Sequence, residues 1–296
     1  MIGPAYKALR RKTASFLNGT LMPRFGVKIV RSWAKTFRYD KLATDAGRTQ
    51  LKVTGGARGE SVEVVLREGT SDWMTFDQIF VEEDYDLRPL SRYAELVDHY
   101  RRTCREGTPL IIDLGGNIGL SPLYFSLAWP EAQVVAVEPE AANFALLSEN
   151  IAQRTNIDGI CAGIASHSTK LGIVDAKAGK NAFQTELSSD GAIEGVTVGE
   201  IVEEYRKKGC VPFLVKIDIE GAELELFSGH HEWVDEFPLM MIELHDWLYP
   251  GQRTSRTFLS AIAEKNRDFI YLDENIFSIR NPSAPHGRQD ERQSEQ

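Results

Sequence analysis

The chain has 296 residues, 42% of them hydrophobic and 26% charged, with a formal net charge of −9. This length allows one large domain with additions, and the balance is that of an ordinary soluble protein. No run nears the roughly 18 apolar residues that a membrane span needs, so no transmembrane segment is expected.

The N-terminus lacks the apolar core of a signal peptide, because Arg10-Arg11-Lys12 follows Ala8-Leu9. Three widely spaced cysteines, Cys104, Cys161 and Cys210, show no metal-type spacing and read as free thiols of a cytoplasmic protein. Charge is unevenly spread: residues 1–41 hold ten basic side chains against the single acid Asp40, which leaves −18 for the rest. An acidic body argues against nucleic acid as a ligand, since phosphate contacts need clustered bases. The basic segment suits an anionic membrane surface, an acidic partner or another subunit of a homo-oligomer. It also suits a solvated helical arm packed on the body through Phe16, Leu17, Leu21 and Phe25.

In chain order, residues 1–60 read as this basic arm, helical or partly extended over the first fifty and interrupted by Pro4, Pro23 and Gly26. Residues 61–107 read as a lead-in packed on the core. Within it, Ser61–Arg67 is a strand candidate, Trp73–Tyr85 a short amphipathic element that turns acidic, and Ser91 a candidate N-cap for a helix to about Cys104. The core domain is expected over 108–280. It opens with Leu110–Ile118, an apolar run suited to a strand buried on both faces, interrupted near its end by Asp113. Gly115, Gly116, Asn117 and Gly119 follow, all tolerant of positive φ or of close backbone approach. Leu120–Trp129 is then helical.

Strand, glycine turn and helix make the first unit of a doubly wound α/β sheet, whose ligands bind at the carboxyl ends of the strands. A second strand, Gln133–Val137, ends in Glu138, 25 residues beyond Asp113, where such folds place an acid against ribose hydroxyls. Ala141–Arg154 is a helix and Ile157–Ala165 a third strand. Residues 166–198 alternate Gly, Ser and Asp with apolar pieces and read as an irregular or hairpin insertion. Val198–Lys208 is helical, Val211–Ile219 a second buried strand, and Pro238–Leu244 another, ending in His245. After a helix at Ser255–Asn266, Phe269–Leu272 and Ile276–Ile279 are joined too tightly to be parallel. The tail 281–296, rich in Pro, Ser, Gln and charge, reads as disordered.

Asp113-Leu-Gly-Gly-Asn-Ile-Gly119 followed by Glu138-Pro139 resembles the S-adenosylmethionine loop of class I methyltransferases. Taken with Val215-Lys216-Ile-Asp218-Ile-Glu220-Gly221-Ala-Glu223 and Met241-Ile-Glu243-Leu-His245, the chain resembles the FkbM family of S-adenosylmethionine-dependent methyltransferases from about Val62 to Arg280. The resemblance implies a Rossmann-like, mostly parallel seven-stranded sheet with one antiparallel strand. It also implies O-methylation of a small hydroxylated acceptor: a sugar, a polyketide or another natural-product intermediate. On that reading Asp113 orients the methionyl amino group, Gly115, Gly116, Asn117 and Gly119 form the cofactor turn, and Glu138 grips the ribose. Ala165 and Ser166 stand near the adenine.

Asp218, Glu220, Glu243 and His245 converge at the strand ends as catalytic candidates, with His245 the natural base near neutral pH. Asp218 is an alternative base if its neighbours raise its pKa. The same oxygen-rich group is able to hold a Mg²⁺, without the sequence showing which carboxylates share a site. Lys216 is expected to pair with a strand-edge acid, and Glu223 to occupy the first turn of a helix. Two rival functions stay open. One is an NAD(P)-dependent oxidoreductase, for which only Tyr205 and Lys208 have a suitable spacing. The other is a non-catalytic binding protein that keeps the cofactor fold.

Overall fold

The computed structural model describes residues 35–167, 170–175, 183–187 and 193–282. The chain enters through three strands, β1 (Phe37–Asp45), β2 (Arg48–Gly55) and β3 (Glu60–Arg67), joined in sequence into an antiparallel sheet. β2 and β3 alternate in burial, placing Leu51, Val53, Val62, Val64 and Leu66 inward, whereas all of β1 after Phe37 is exposed. Residues 37–60, expected as part of an arm, therefore belong to this sheet. The rest of the expected arm, with Arg10-Arg11-Lys12, lies outside the described residues. A short helix α1 (Asp72–Phe76) continues into a π-helical turn, Asp77–Glu82. α2 (Tyr93–Glu106) then leads to the core, and its N-cap is Arg92 without a side-chain cap bond. The expected cap Ser91 stands one residue too early.

The central sheet is built from β4 (Thr108–Leu114), β5 (Gln133–Val137), β6 (Ile157–Ile160), β11 (Cys210–Ile217), β12 (Leu239–Glu243), β13 (Arg267–Leu272) and β14 (Asn275–Arg280). Their order is β13-β14-β12-β11-β4-β5-β6, and every pair is parallel except those made by β14, the one reversed strand. Helix α3 (Leu120–Ala128) crosses from β4 to β5 and α4 (Ala141–Ile151) from β5 to β6. The expected third strand is split. Ile157–Ile160 stays in the central sheet, while a turn at Cys161–Ala162 sends β7 (Gly163–Ile164) to pair with β10 (Ile193–Val196). Between them β8 (Lys170–Asp175) and β9 (Phe183–Leu187) form an antiparallel hairpin, so the insertion carries a four-stranded sheet. α5 (Val198–Lys207) begins in a capping box made by Thr197 and Glu200. α6 (Glu223–Leu226) follows β11, and α7 (Arg256–Ile262) is shorter than the helix expected to run to Asn266.

The apolar runs of β4, β5, β11 and β12 are continuous because the sheet is covered on both faces. Ile111, Val134 and Met241 enter one core with the N-terminal sheet, α3 and α4. Leu110, Ile112, Leu114, Val135, Val215 and Ile242 enter the other, with α5, α6 and α7. The crossovers from β4 and from β11 run to opposite sides, so a crevice opens between these two strands at their carboxyl ends. Among the described residues no helix is long and apolar enough to cross a membrane.

Candidate active site

The crevice begins where β4 ends. Gly115 has φ +86°, and a Cβ there would sit 1.9 Å from the carbonyl oxygen of Asp218, so only glycine fits. The amides of Gly115 and Gly116 both donate to the Val137 carbonyl, at 3.0 and 2.9 Å, which ties the turn to the end of β5. Asn117, with φ 46°, takes the left-handed conformation that Asn tolerates. Its amide donates to Oε2 of Glu138 at 2.9 Å, and the Glu140 amide donates to Oε1 at 3.0 Å. Burial pushes the Glu138 carboxyl up to about 7 despite those bonds.

Gly115, Asn117, Glu138, Asp218 and Glu220 line one open cleft, together with Ala162 and Ile164. Gly116 and Gly119 face the α4 helix at Leu147 and let helix and turn pack closely. Asp113 lies beneath the cleft and does not reach it. It is wholly buried, with Oδ2 accepting from Ser121 at 2.6 Å and Oδ1 3.0 Å from the Lys216 ammonium. Lys216 also donates to the Gly115 carbonyl at 2.9 Å. Burial is the largest single influence and opposes its charge, but Asp113, Asp218 and Tyr85 together outweigh it and hold the ammonium above its ordinary value. The amino-group role expected of Asp113 thus has no geometric basis: its oxygens are engaged below the turn.

Beside the cleft the ends of β11 and β12 bring acids and an imidazole together. His245 is buried, and its Nδ1 lies 2.8 Å from Oε1 of Glu223, a fully buried carboxylate. Its Nε2 faces Oδ1 of Asp218 at 3.4 Å and Oε1 of Glu243 at 3.8 Å. Burial alone would lower the imidazole, but the bonds to Asp218 and Glu223 and their charges prevail and push it up to about 11. In this arrangement His245 is an imidazolium at neutral pH, not the free base expected there. Asp218 moves the opposite way from the raised carboxyl that the alternative required. Burial works against its ionisation, yet the Lys216 charge and His245 hold it well below the carboxylate range. Glu220 and Glu243 are each pushed up to about 8, by burial first and then by the charge of Asp218.

The structure therefore brings together Gly115, Asn117, Glu138, Asp218 and Glu220 around the cleft, with Glu243 and His245 adjoining. Ala165 and Ser166 do not line it; Ser166 Oγ donates instead to Glu225 at 2.8 Å, and Ala162 and Ile164 take the expected place. Lys216 pairs with strand-edge acids, as expected. Glu223 does begin a helix, but its carboxylate turns inward to His245, a contact across 22 residues that helix patterning does not signal. Tyr85, whose ring centre lies 6.0 Å from the Lys216 ammonium, was likewise not legible as a site neighbour. The pair suited to hydride transfer is elsewhere: Tyr205 donates to Asp158 at 2.6 Å and Lys208 lies over its ring.

The methyltransferase FkbM domain model matches residues 113–271, more than half of the chain. Methyltransferase sdnD of Sordaria araneosa is 25% identical over 191 residues, 53% of this chain and 68% of that protein. Hexuronic acid methyltransferase AglP of Haloferax volcanii is 27% identical over 195 residues, 64% of this chain and 79% of that protein. The crystal structure of an O-methyltransferase from Bacillus cereus in complex with SAH aligns at 10% identity and a TM-score of 0.38, over 69% of this chain and 88% of that one. With its central sheet, its glycine turn and the match over residues 113–271, the chain belongs to the FkbM methyltransferase family.

Proposed function

We propose that this methyltransferase uses S-adenosylmethionine to methylate a hydroxyl on a sugar or a natural-product intermediate. One observation carries the reading. The cleft beside the glycine turn and the acid–imidazole group share a wall, made by Asp218 and Glu220. Cofactor and acceptor can therefore meet there without any rearrangement of the sheet. The relative named for a hexuronic acid supports a sugar acceptor.

The residues present fit the cofactor. Gly115 lines the cleft with backbone atoms alone, and its missing Cβ lets the Asp218 backbone close against the turn. Glu138 is fixed by two backbone amides, one on each oxygen, and so keeps lone pairs for the hydroxyls of a ribose. When bound, the cofactor supplies a methyl group already activated on sulfonium, so alignment is the main demand on the protein. The acceptor oxygen bonds to the methyl carbon as the carbon–sulfur bond breaks, with its electron pair left on sulfur. Glu220, on the cleft wall, takes the hydroxyl proton when it is in its carboxylate form, which its position near 8 makes dominant only on the alkaline side. Trp247, 52% exposed and 6.3 Å from the His245 ring, offers a face on which a sugar ring can stack.

The test combines calorimetric titration of the full chain with S-adenosylmethionine and transfer of labelled methyl to a panel of sugars, uronic acids and hydroxylated polyketides. Binding at one site, with label appearing as an O-methyl ether in one acceptor class, is expected. Absence of cofactor binding, or transfer only to nitrogen or carbon, would overturn the proposal.

A further inference from the structure

We propose that Asp218, Glu243 and His245 form a binding site for a divalent transition-metal cation such as Mn²⁺. Each residue offers one ligand atom, and the three atoms lie within 4.8 Å of one another. Ligands sharing an ion at about 2.0–2.2 Å stand roughly 3.0–3.5 Å apart, depending on coordination number. The separations from His245 Nε2, 3.4 Å to Asp218 and 3.8 Å to Glu243, need only a small contraction. Both are longer than the roughly 2.7–2.9 Å of a well-formed charge-assisted hydrogen bond, so the bond to Asp218 is a stretched one. Nε2 of this buried ring, 3% exposed, thus points between two carboxylates and makes a short contact with neither.

The opposite side of the ring gives a second, separate indication. Nδ1 is paired with Glu223 at 2.8 Å, and Glu223 is fully buried with Oε2 otherwise unpartnered. That carboxylate holds the proton of Nδ1, which leaves Nε2 as the nitrogen that gives up its proton to a metal ion. Histidines that ligate metals are oriented in this way, by a carboxylate outside the coordination sphere. Asp218 divides its two oxygens in a compatible manner. Oδ2 lies 3.5 Å from Lys216, while Oδ1 faces Nε2. Lys216 does not occupy the cation position, because Asp113 and the Gly115 carbonyl hold it on the other side. Four carboxyl groups, Asp218, Glu220, Glu223 and Glu243, crowd this corner, and a divalent charge would offset them.

The donor set selects the ion. Two carboxylate oxygens and one imidazole nitrogen favour Mn²⁺ or Zn²⁺ over Ca²⁺, which takes oxygen alone. Asp218 and Glu243 keep side-chain exposures of 31% and 19%, so the remaining coordination positions open toward the cleft, where an acceptor's oxygen atoms can fill them. The site stands apart from the methyl-transfer reading, since occupancy is measured without substrate.

The full chain, stripped with chelator, is titrated with Mn²⁺ while the paramagnetic resonance signal of the free aqua ion is followed. Wild type should remove one equivalent of that signal. Glu243→Gln and His245→Ala should each weaken binding at least tenfold, and Glu223→Gln should do so by about 10–100-fold although it leaves all three ligands in place. Glu232→Gln, an acidic change away from the site, should leave affinity unchanged. Glu243 is part-exposed, so that variant keeps the test valid if His245→Ala does not fold. No loss of signal at millimolar Mn²⁺, or binding that survives Glu243→Gln undiminished, would overturn the proposal. Calorimetry with S-adenosylmethionine on the same metal-free protein separates this failure from failure of the methyltransferase reading.

Discussion

Glu138 Oε2 accepts the backbone N–H of Asn117 at 2.9 Å, so the acid that ends one strand is fastened to the glycine turn that ends its neighbour. The bond fixes both the left-handed Asn117 and the direction in which the carboxylate faces the cleft. It also sets a pH dependence. Burial raises Glu138 from 4.5 to about 7, so its protonated form favours the fold. That stabilisation is complete below pH 4.5 and lost as the pH rises through 7.

On the proposed reading cofactor binding runs in the opposite direction, because ribose hydroxyls would donate to the ionised carboxylate. Affinity for S-adenosylmethionine should therefore climb up to about tenfold per pH unit on approaching pH 7 from below, then level off. Glu138→Gln should bind at least tenfold more weakly above pH 7 and show little pH dependence. Calorimetry across that range decides it. An unchanged pH profile in the variant would remove Glu138 from the cofactor site.

Gly115 and Gly209 offer a controlled comparison. Both have positive φ, +86° and +84°, so alanine carries a similar conformational cost at each. Only at Gly115 would the new Cβ strike backbone, the Asp218 carbonyl at 1.9 Å, whereas nothing lies within 4 Å at Gly209. Gly209→Ala should cost about 1 kcal/mol, and Gly115→Ala at least about 2 kcal/mol more, as strain and displacement combine. Because the clash pushes Asp218 off the cleft wall, Gly115→Ala should also lose cofactor binding while still folded at low temperature. Denaturant unfolding and cofactor titration measure both effects.

The sheet was legible because its signals are local. Four mainly apolar runs, interrupted within by only Asp113 and Lys216, announce strands covered on two faces, and the short Asp273–Asn275 connection announces the reversed strand. The turn, with Gly115 and Asn117, and the acid at Glu138 were also legible, since strand ends and glycines fix their place. What the sequence hid is set by side-chain direction across long separations. Nothing local indicates that Asp113 is covered by Lys216, 103 residues on, or that Glu223 turns from its helix face toward His245. Of the N-terminal sheet β3 was expected, but β1 (Phe37–Asp45) was missed because it is almost wholly exposed and carries no alternating pattern. The boundary of the third strand failed at a turn that no proline marks.

Glu220 and Trp247 test the acceptor side. Glu220→Gln removes a proton acceptor from the cleft wall with little change in shape. It should lower kcat by about 10²–10⁴-fold, the usual contribution of general-base catalysis, and change cofactor affinity by no more than a few-fold. Trp247→Ala should instead raise KM for the acceptor roughly tenfold, with kcat retained, because a stacking face contributes binding equally in ground and transition states. Steady-state kinetics separate the two patterns. Equal losses in KM and kcat for both variants would point to a shared folding defect.

Lys216 and Asp113 are a buried ion pair 3.0 Å apart, with side-chain exposures of 3% and 0%. Removing one member leaves the other charge buried and uncompensated, which costs about 3–5 kcal/mol, whereas replacing both by uncharged groups costs far less. Lys216→Met should therefore lower Tm by on the order of 10 °C, and Asp113→Asn with Lys216→Met should recover most of that loss. The sign with pH is fixed as well. Lys216 is held above 10.5, so its contribution is complete below pH 10.5 and fades only at higher pH. Wild type should lose stability in that alkaline range and the double variant should not. Lys216 also holds the Gly115 carbonyl at 2.9 Å, so the double variant should fold well yet bind cofactor less tightly. Such a split between stability and affinity would locate the pair's functional effect in the turn above it and not in the core below.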